Sequence, residues 1–350
     1  MNRKIKLLIA LLAILGLFAA ACGDDDDDSA DGSASEDTSE DAGAAEDEAG
    51  DEGADAATGE GIRVAIVAPS AENDLAFTQS IVDGVDRLEG VGEVAITPGT
   101  FVVEDAGTAI RQYAEDGYDL VIAHGSQYGS LVQEIAPDFP DIAFAHGTAV
   151  DTFGLPNVSA YNAASDQGGY VLGAMAAALG SNIGVVGPIE VGDAKLYVDG
   201  FRLGAEADGA TVDVVYTESF SDVQLASETA SAFVSNGADI LTGTAQMTVG
   251  AIGVAEQEGL LWFGTQSDQA PAASDGVVAA SQVYHWEIAL QQLVDDLGDG
   301  VLGGSSYEIT LETDGLVIEY GNWDVPAEIT ELVDSTVAAV IAGDVTTIPG

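Results

Sequence analysis

The chain has 350 residues, with 60 acidic side chains against 8 basic ones and a net charge of −52. A field of that sign repels phosphate backbones and excludes nucleic acid as a partner. The single cysteine excludes a disulfide within the chain, so stability has to come from packed cores, and the length beyond residue 60 suffices for one large domain or two ordinary ones.

At the N-terminus, Arg3, Lys4 and Lys6 precede the apolar run Leu7 to Phe18 and the small residues Ala19-Ala20-Ala21 before Cys22. Charged, apolar and small-residue regions in that order predict a secretory signal peptide over 1–21, the apolar run being short for a membrane span. Ala19-Ala20-Ala21-Cys22 resembles a bacterial lipobox, with Ala19 where Leu is usual. The resemblance implies that Cys22 is lipidated and fixes the chain to the membrane on its extracytoplasmic face; the alternative is ordinary signal cleavage. Residues 23–60 contain no aromatic or large aliphatic side chain, so 22–60 reads as a disordered acidic tether. Beyond it only Arg63, Arg87, Arg111, Lys195 and Arg202 are basic. Such acidity fits a salty habitat, where screening confines charge interactions to about 8 Å or less.

From Ile62 the chain changes character. Ile62–Val67 is a β-branched run ending at Pro69, as in a buried parallel strand. Asn73 or Asp74 can cap a helix over Ala76–Leu88. Strands at Val94–Thr97, Asp119–Ala123 and Ile142–Ala145 then alternate with helices at Ala106–Glu115 and Gly129–Ile135. A second series follows, with strands Val158–Ala160, Ile183–Val186, Thr211–Tyr216, Asp239–Leu241 and Leu261–Phe263. Helices Asp166–Leu179, Ala194–Ala207, Val223–Ser235 and Thr248–Glu258 lie among them. The tail is less regular: strand Val277–Ala280, helix His285–Leu297, strands Tyr307–Leu311 and Leu316–Tyr320, and helix Ala327–Ala342. Prolonged alternation predicts an α/β fold with parallel sheets.

An internal echo predicts two lobes. Gly117-Tyr118-Asp119-Leu120-Val121-Ile122-Ala123 returns 120 positions later as Gly237-Ala238-Asp239-Ile240-Leu241-Thr242-Gly243. Each copy leads into a helix and then a strand ending in Gly, at Gly147 and Gly264. Ligands of such sheets bind beyond the carboxyl ends of the strands, so two facing lobes make a cleft. A single continuous sheet with a duplicated unit is the alternative.

Several segments carry a resemblance over nearly the whole globular part. They are Phe77-Thr78-Gln79-Ser80, Gly168-Gly169-Tyr170-Val171-Leu172-Gly173-Ala174, Ile183-Gly184-Val185-Val186-Gly187-Pro188-Ile189, Gly200-Phe201-Arg202-Leu203-Gly204-Ala205, Ser219-Phe220-Ser221-Asp222 and Ser267-Asp268-Gln269. Tyr284-His285-Trp286 and Asn322-Trp323-Asp324-Val325-Pro326 look like a tryptophan-bearing branch. In order and spacing the chain resembles the basic membrane protein family of substrate-binding lipoproteins, which serve ABC importers and include purine-nucleoside receptors. The resemblance implies a type I periplasmic-binding fold, two doubly wound parallel-sheet lobes joined by three crossings. On this reading 61–162 and 284–311 form lobe 1, and 163–283 and 312–350 form lobe 2. Nucleoside-binding members carry an Asp where Gln266 stands and a Lys where Tyr284 falls, so ribose recognition is not implied while a flat heterocycle is.

A flat ring wants aromatic faces and a few polar groups at its edge. Phe77 and Phe220 follow strands of opposite lobes and are the expected stacking pair, core packing being the alternative. Asp74, Thr78, Gln79, His124, Ser126 and Gln127 fall at strand-to-helix junctions of the first lobe, and Thr244, Gln246 and Gln266 at those of the second. Helix N-termini there present free N–H groups. Tyr128 is a ligand contact or a surface residue, and Trp286 a ligand contact or lobe packing. Asp268 and Tyr284 join the expected site through the motifs above. Lys195 is expected to pair with the acids around it. His124, His146 and His285 show no ligand spacing with a cysteine, and neither a phosphate loop nor a nucleophile elbow occurs, so no metal, cofactor or catalysis is expected. The expected role is a monomeric, lipid-tethered solute receptor of an ABC importer with a purine-like ligand. The alternative is a sensing domain that signals to a membrane kinase or chemoreceptor.

Overall fold

The computed structural model describes residues 61–350. The expected signal segment, Cys22 and the tether lie outside the described residues. No helix among the described residues is long and apolar enough to cross a membrane.

The first half folds as β1 (Ile62–Val67), α1 (Phe77–Val85), β2 (Val91–Thr97), α2 (Val103–Glu115), β3 (Leu120–Ala123), α3 (Gly129–Ile135), β4 (Ala143–Gly147) and β5 (Val158–Ala163). The second half repeats the pattern with α4 (Ser165–Leu179), β6 (Asn182–Gly187), α5 (Gly192–Ala207), β7 (Thr211–Tyr216), α6 (Val223–Ser235), β8 (Ile240–Gly243), α7 (Val249–Glu258), β9 (Leu261–Gln266) and β10 (Val278–Tyr284). The tail adds α8 (Glu287–Gly298), β11 (Ser306–Ile309), β12 (Leu316–Tyr320) and α9 (Ala327–Ile341).

Two six-stranded sheets result, ordered β11-β5-β4-β3-β1-β2 and β12-β10-β9-β8-β6-β7. Every pairing is parallel except β10 with β12. The chain passes between the sheets three times: from β5 into α4, from β10 into α8, and from β11 into β12. This is a two-lobed type I periplasmic-binding fold.

Burial on both faces explains why the central strands read as unbroken apolar runs. In β1, Val64 and Ile66 point into a core shared with α1, α4, α5, α8 and α9, while Ala65 and Val67 point to the opposite face beneath α2 and α3. The shared core runs through both lobes, and its centre is aromatic. The fully buried Trp286 meets Tyr161 and Tyr284 edge-on, with ring centroids 5.1 and 5.3 Å apart. The glycines of α4 and α5 serve the crossing of those helices. A Cβ on Gly173 would lie 2.0 Å from the Phe201 carbonyl oxygen, and one on Gly204 2.1 Å from that of Tyr170.

Several boundaries differ from expectation, three of them beside the cleft or the hinge. β10 continues through Ser281 and Gln282 to Tyr284, because neighbours β9 and β12 bury all seven residues and supply its backbone partners. The helix expected from His285 therefore starts at Glu287. The helix expected from Thr248 begins with a 3-10 turn over Gln246–Thr248.

Candidate functional site

The cleft is built from the loops that follow parallel strands of both lobes, where helix N-termini and strand ends converge. It encloses about 410 Å³, open solvent at its mouth included. Phe77, Ser126, Gln127, Phe220, Gln246 and Gln266, six of the expected residues, border this one space.

Phe77 is set by the loop before α1. Asp74 accepts the backbone N–H groups of Ala76, Thr78 and Gln79 at 2.9, 3.1 and 3.0 Å, so its oxygens hold the helix start. Gln79 accepts the Leu75 N–H at 3.1 Å. The fully buried Thr78 hydroxyl lies 2.7 Å from that of Ser70. Asp74, Thr78 and the Gln79 amide oxygen are thus spent on the loop.

His124 lies behind Phe77 rather than in the cleft. The two rings stack at 4.0 Å and 20°. Its Nε2 faces the Phe77 carbonyl at 3.2 Å and must donate, so Nδ1 accepts from the Tyr161 hydroxyl at 2.7 Å. Complete burial drives the imidazole pKa down to about 3 and keeps it neutral. His124 is a support for the Phe77 ring.

Tyr128 belongs to the first lobe's core. Its hydroxyl donates to the Thr100 carbonyl at 2.9 Å, and no part of the side chain is exposed. Trp286 is likewise wholly buried and donates its indole N–H to the Ser80 hydroxyl at 2.9 Å, so it packs the hinge. Thr244 is buried behind its loop with its hydroxyl unpartnered. Asp268 accepts the Ala270 N–H at 2.9 Å and borders a second cavity of about 530 Å³ beside α1. Tyr284 forms part of the same cavity, and Gln266 is the one residue common to both spaces.

On the second lobe, Ser219 accepts the N–H groups of Ser221 and Asp222 at 3.2 and 3.1 Å, and Asp222 caps α6 by accepting the Leu225 N–H at 2.9 Å. That tight turn fixes Phe220. The two lobes place strained residues at matching points. Gly125 (φ 150) follows β3 as Ala245 (φ 74) follows β8, and Thr148 (φ 52) follows β4 as Gln266 (φ 77) ends β9. Non-glycine residues in this region cost of order 1–3 kcal/mol and gather at functional sites. Ala245, Thr148 and Gln266 all border the cleft.

Sequence reasoning missed Asp193, in the first turn of α5, together with Thr148, Phe101 and Val191 at the rim. The loop after β6 is the second lobe's counterpart of the loop after β1, which carries Phe77; that symmetry was the available signal. Among the described residues, Asp193 is the one ionisable side chain bordering the cleft. Burial pushes its carboxyl from 3.8 up to about 6, opposed by the Gln266 amide, nearby backbone N–H groups and the Tyr284 hydroxyl. The Tyr284 hydroxyl stands 3.4 Å from Oδ2, and Gln266 Oε1, in a residue only 2 % exposed, has no partner. Lys195, two residues along, turns away to Asp199 at 2.7 Å and Glu190 at 3.1 Å. The cleft therefore offers aromatic faces, three amides and one buried carboxylate, a set suited to reading a flat polar molecule.

Residues 62–337 match the family described as ABC transporter substrate-binding protein, PnrA-like. A purine-binding protein of Brucella abortus is 26% identical over 250 residues, 70% of each chain. The transcriptional activator protein med of Bacillus subtilis is 25% identical over 269 residues, 75% of this chain and 82% of its own. Among solved structures, a solute-binding protein of an ABC transporter system from Conexibacter woesei superposes with a TM-score of 0.68 at 26% identity, over 82% of this chain and 98% of its own. A transcriptional activator of the comK gene from Bacillus halodurans gives 0.67 at 18% identity, over 83% of this chain and all of its own.

Proposed function

Because the chain belongs to the family of PnrA-like ABC transporter substrate-binding proteins, we propose that it is a lipid-anchored, extracytoplasmic receptor that takes a purine into the cleft and delivers it to the importer's permease. The family binds solutes rather than transforming them. The observation that carries the ligand class is the meeting of Phe77 and Phe220, from opposite lobes, at one pocket with the amides of Gln127, Gln246 and Gln266. Aromatic faces hold a planar ring, and amides present a donor or an acceptor as its edge requires. The relative named as purine-binding supports the same class. The receptor acts as a monomer, since a ligand touched by both lobes of one chain is enough to favour closure.

The free base is the preferred form. Gln266 and Tyr284 stand where nucleoside receptors of this family carry an acid and a lysine, so the pair that grips a ribose is missing. Titration calorimetry with adenine, guanine, hypoxanthine and their nucleosides tests this. Tight binding of a base supports it; tight binding of nucleosides alone overturns the preference, and binding of neither overturns the ligand class. For the anchor, Cys22→Ala should release the protein from membranes, and an alanine variant that sediments with salt-washed membranes contradicts lipidation.

A second reading is a sensing role, favoured by the curated relative named as a transcriptional activator. Adjacent genes for a permease and an ATPase favour transport; an adjacent sensor gene favours sensing.

A further inference from the structure

Asp193 is placed too deliberately for a surface acid. The Ser165 hydroxyl, at the start of α4, donates to its carbonyl at 2.6 Å and fixes its backbone. The residue borders the cleft, and around its carboxylate stand the Gln266 amide, nearby backbone N–H groups and the Tyr284 hydroxyl, the last at a long 3.4 Å. Among the described residues no cation stands against it: Lys195 is engaged with Asp199 and Glu190. A carboxylate removed from water with no cation beside it stays costly even when hydrogen-bonded, and a further donor lowers that cost. Beside it the Gln266 carbonyl oxygen is also buried and unpartnered. A carboxylate with no cation beside it and an amide oxygen with no partner thus belong to two residues that border one cavity.

We propose that Asp193 selects the ligand by accepting the imidazole N–H of a purine base through its carboxylate. This rests on the reading of the cleft as a purine site and deepens it. Among purine bases the six-membered edge varies between amino and oxo groups, whereas the imidazole N–H is common to all. A carboxylate accepts only, so it suits the constant edge, and the amides of Gln127 and Gln246 suit the variable one. Glycosylation at the ring nitrogen removes that donor, which is a physical reason for preferring bases to nucleosides.

The test uses the full chain with adenine, 7-methyladenine and 9-methyladenine as probes, by titration calorimetry at pH 7.5. Both methylated bases lack the imidazole N–H. The wild type should bind adenine about ten- to a hundredfold more tightly than either, the span of a hydrogen bond to a charged acceptor. Asp193→Asn has the same shape, so a merely steric penalty for the methyl group would persist in it. The proposal requires that penalty to shrink to within about threefold while adenine itself binds at least about tenfold less tightly than to the wild type. Equal binding of all three probes to the wild type overturns the proposal without any variant, which covers a variant that fails to fold. An unchanged methyl penalty in Asp193→Asn also overturns it and leaves the purine site standing. If the wild type binds no base at all, the purine reading fails first and this inference falls with it.

Discussion

The Ser267 hydroxyl, on the loop after β9, donates to the Ala76 carbonyl oxygen at 2.8 Å, so the second lobe grips the residue that precedes Phe77. Gln269 adds a bond from its amide N–H to the Leu75 carbonyl at 3.2 Å, while its own Oε1 accepts the Trp262 indole N–H at 2.8 Å. The loop that starts at Gln266 therefore borders the ligand space and latches the opposite lobe. Ser267→Ala removes one interlobe hydrogen bond of about 1 kcal/mol and leaves Trp262 satisfied. Affinity should fall about fivefold, with a larger radius of gyration in ligand-free scattering. Unchanged values of both would show that the bond does not bias closure.

The two cleft phenylalanines should separate binding from stability. Phe220 is half-buried on a turn, so Phe220→Ala should weaken base binding by about 1–3 kcal/mol and leave the melting temperature nearly unchanged. Phe77 also supports the stacked His124, so Phe77→Ala should weaken binding equally and lower the melting temperature as well. Calorimetry and thermal melts on both variants decide this.

Asp193 and His124 pull the pH dependence of stability in opposite directions. The Asp193 carboxyl, raised from 3.8 to about 6, makes the folded state hold its proton, so its cost to stability appears as pH rises from about 4 to about 6 and stays above that. His124, lowered from 6.5 to about 3, costs stability as pH falls below about 6.5. The groups facing Asp193 are Tyr284 and Gln266 with Ser165 at its backbone, none of which titrates in that window. Asp193→Asn should therefore be more stable than the wild type at pH 7.5 by up to about 3 kcal/mol, with the gain vanishing near pH 4. Urea unfolding across pH 4–8 measures it. A gain that is constant with pH would contradict the assignment.

The legible and illegible parts of this chain divide along physical lines. Ile62–Val67 and Asp119–Ala123 were readable as strands because burial on both faces leaves no polar alternation to interpret. That Phe77 and Phe220 border the cleft was readable because each follows a strand of its own lobe. Asp193 was not, since among 60 acids one carboxylate has no distinguishing mark until burial is known. Tyr128, His124 and Trp286 attracted attention as aromatic or titratable side chains near loops. What buries them, Thr100, Tyr161 and Ser80, lies 28, 37 and 206 residues away in sequence.

The glycine-rich segments also change meaning. Gly173 and Gly204, noticed as family marks, let α4 and α5 approach to backbone contact. Gly173→Ala places a methyl group against the Phe201 carbonyl and should destabilise by about 1–3 kcal/mol without altering ligand affinity in the folded fraction. A melting temperature equal to that of the wild type would show that the crossing can relax.

Every basic side chain among the described residues has an acidic partner: Arg63 with Glu93, Arg87 with Glu287, Arg111 with Asp138, and Lys195 and Arg202 with Asp199. The remaining acids are left to repel one another, and only dissolved cations can relieve them. The globular part should unfold in dilute buffer and refold as sodium chloride is added. A melting temperature independent of salt up to molar concentration would contradict this.

Gln266 holds a left-handed backbone at φ 77 while dividing the cleft from the cavity beside α1. Glycine adopts that conformation without strain and has no side chain to act as a partition. A single Gln-to-Gly replacement would thus relax the main chain and merge the two chambers together. Widening a receptor's diet usually erodes its fold; at this position the two pressures point the same way.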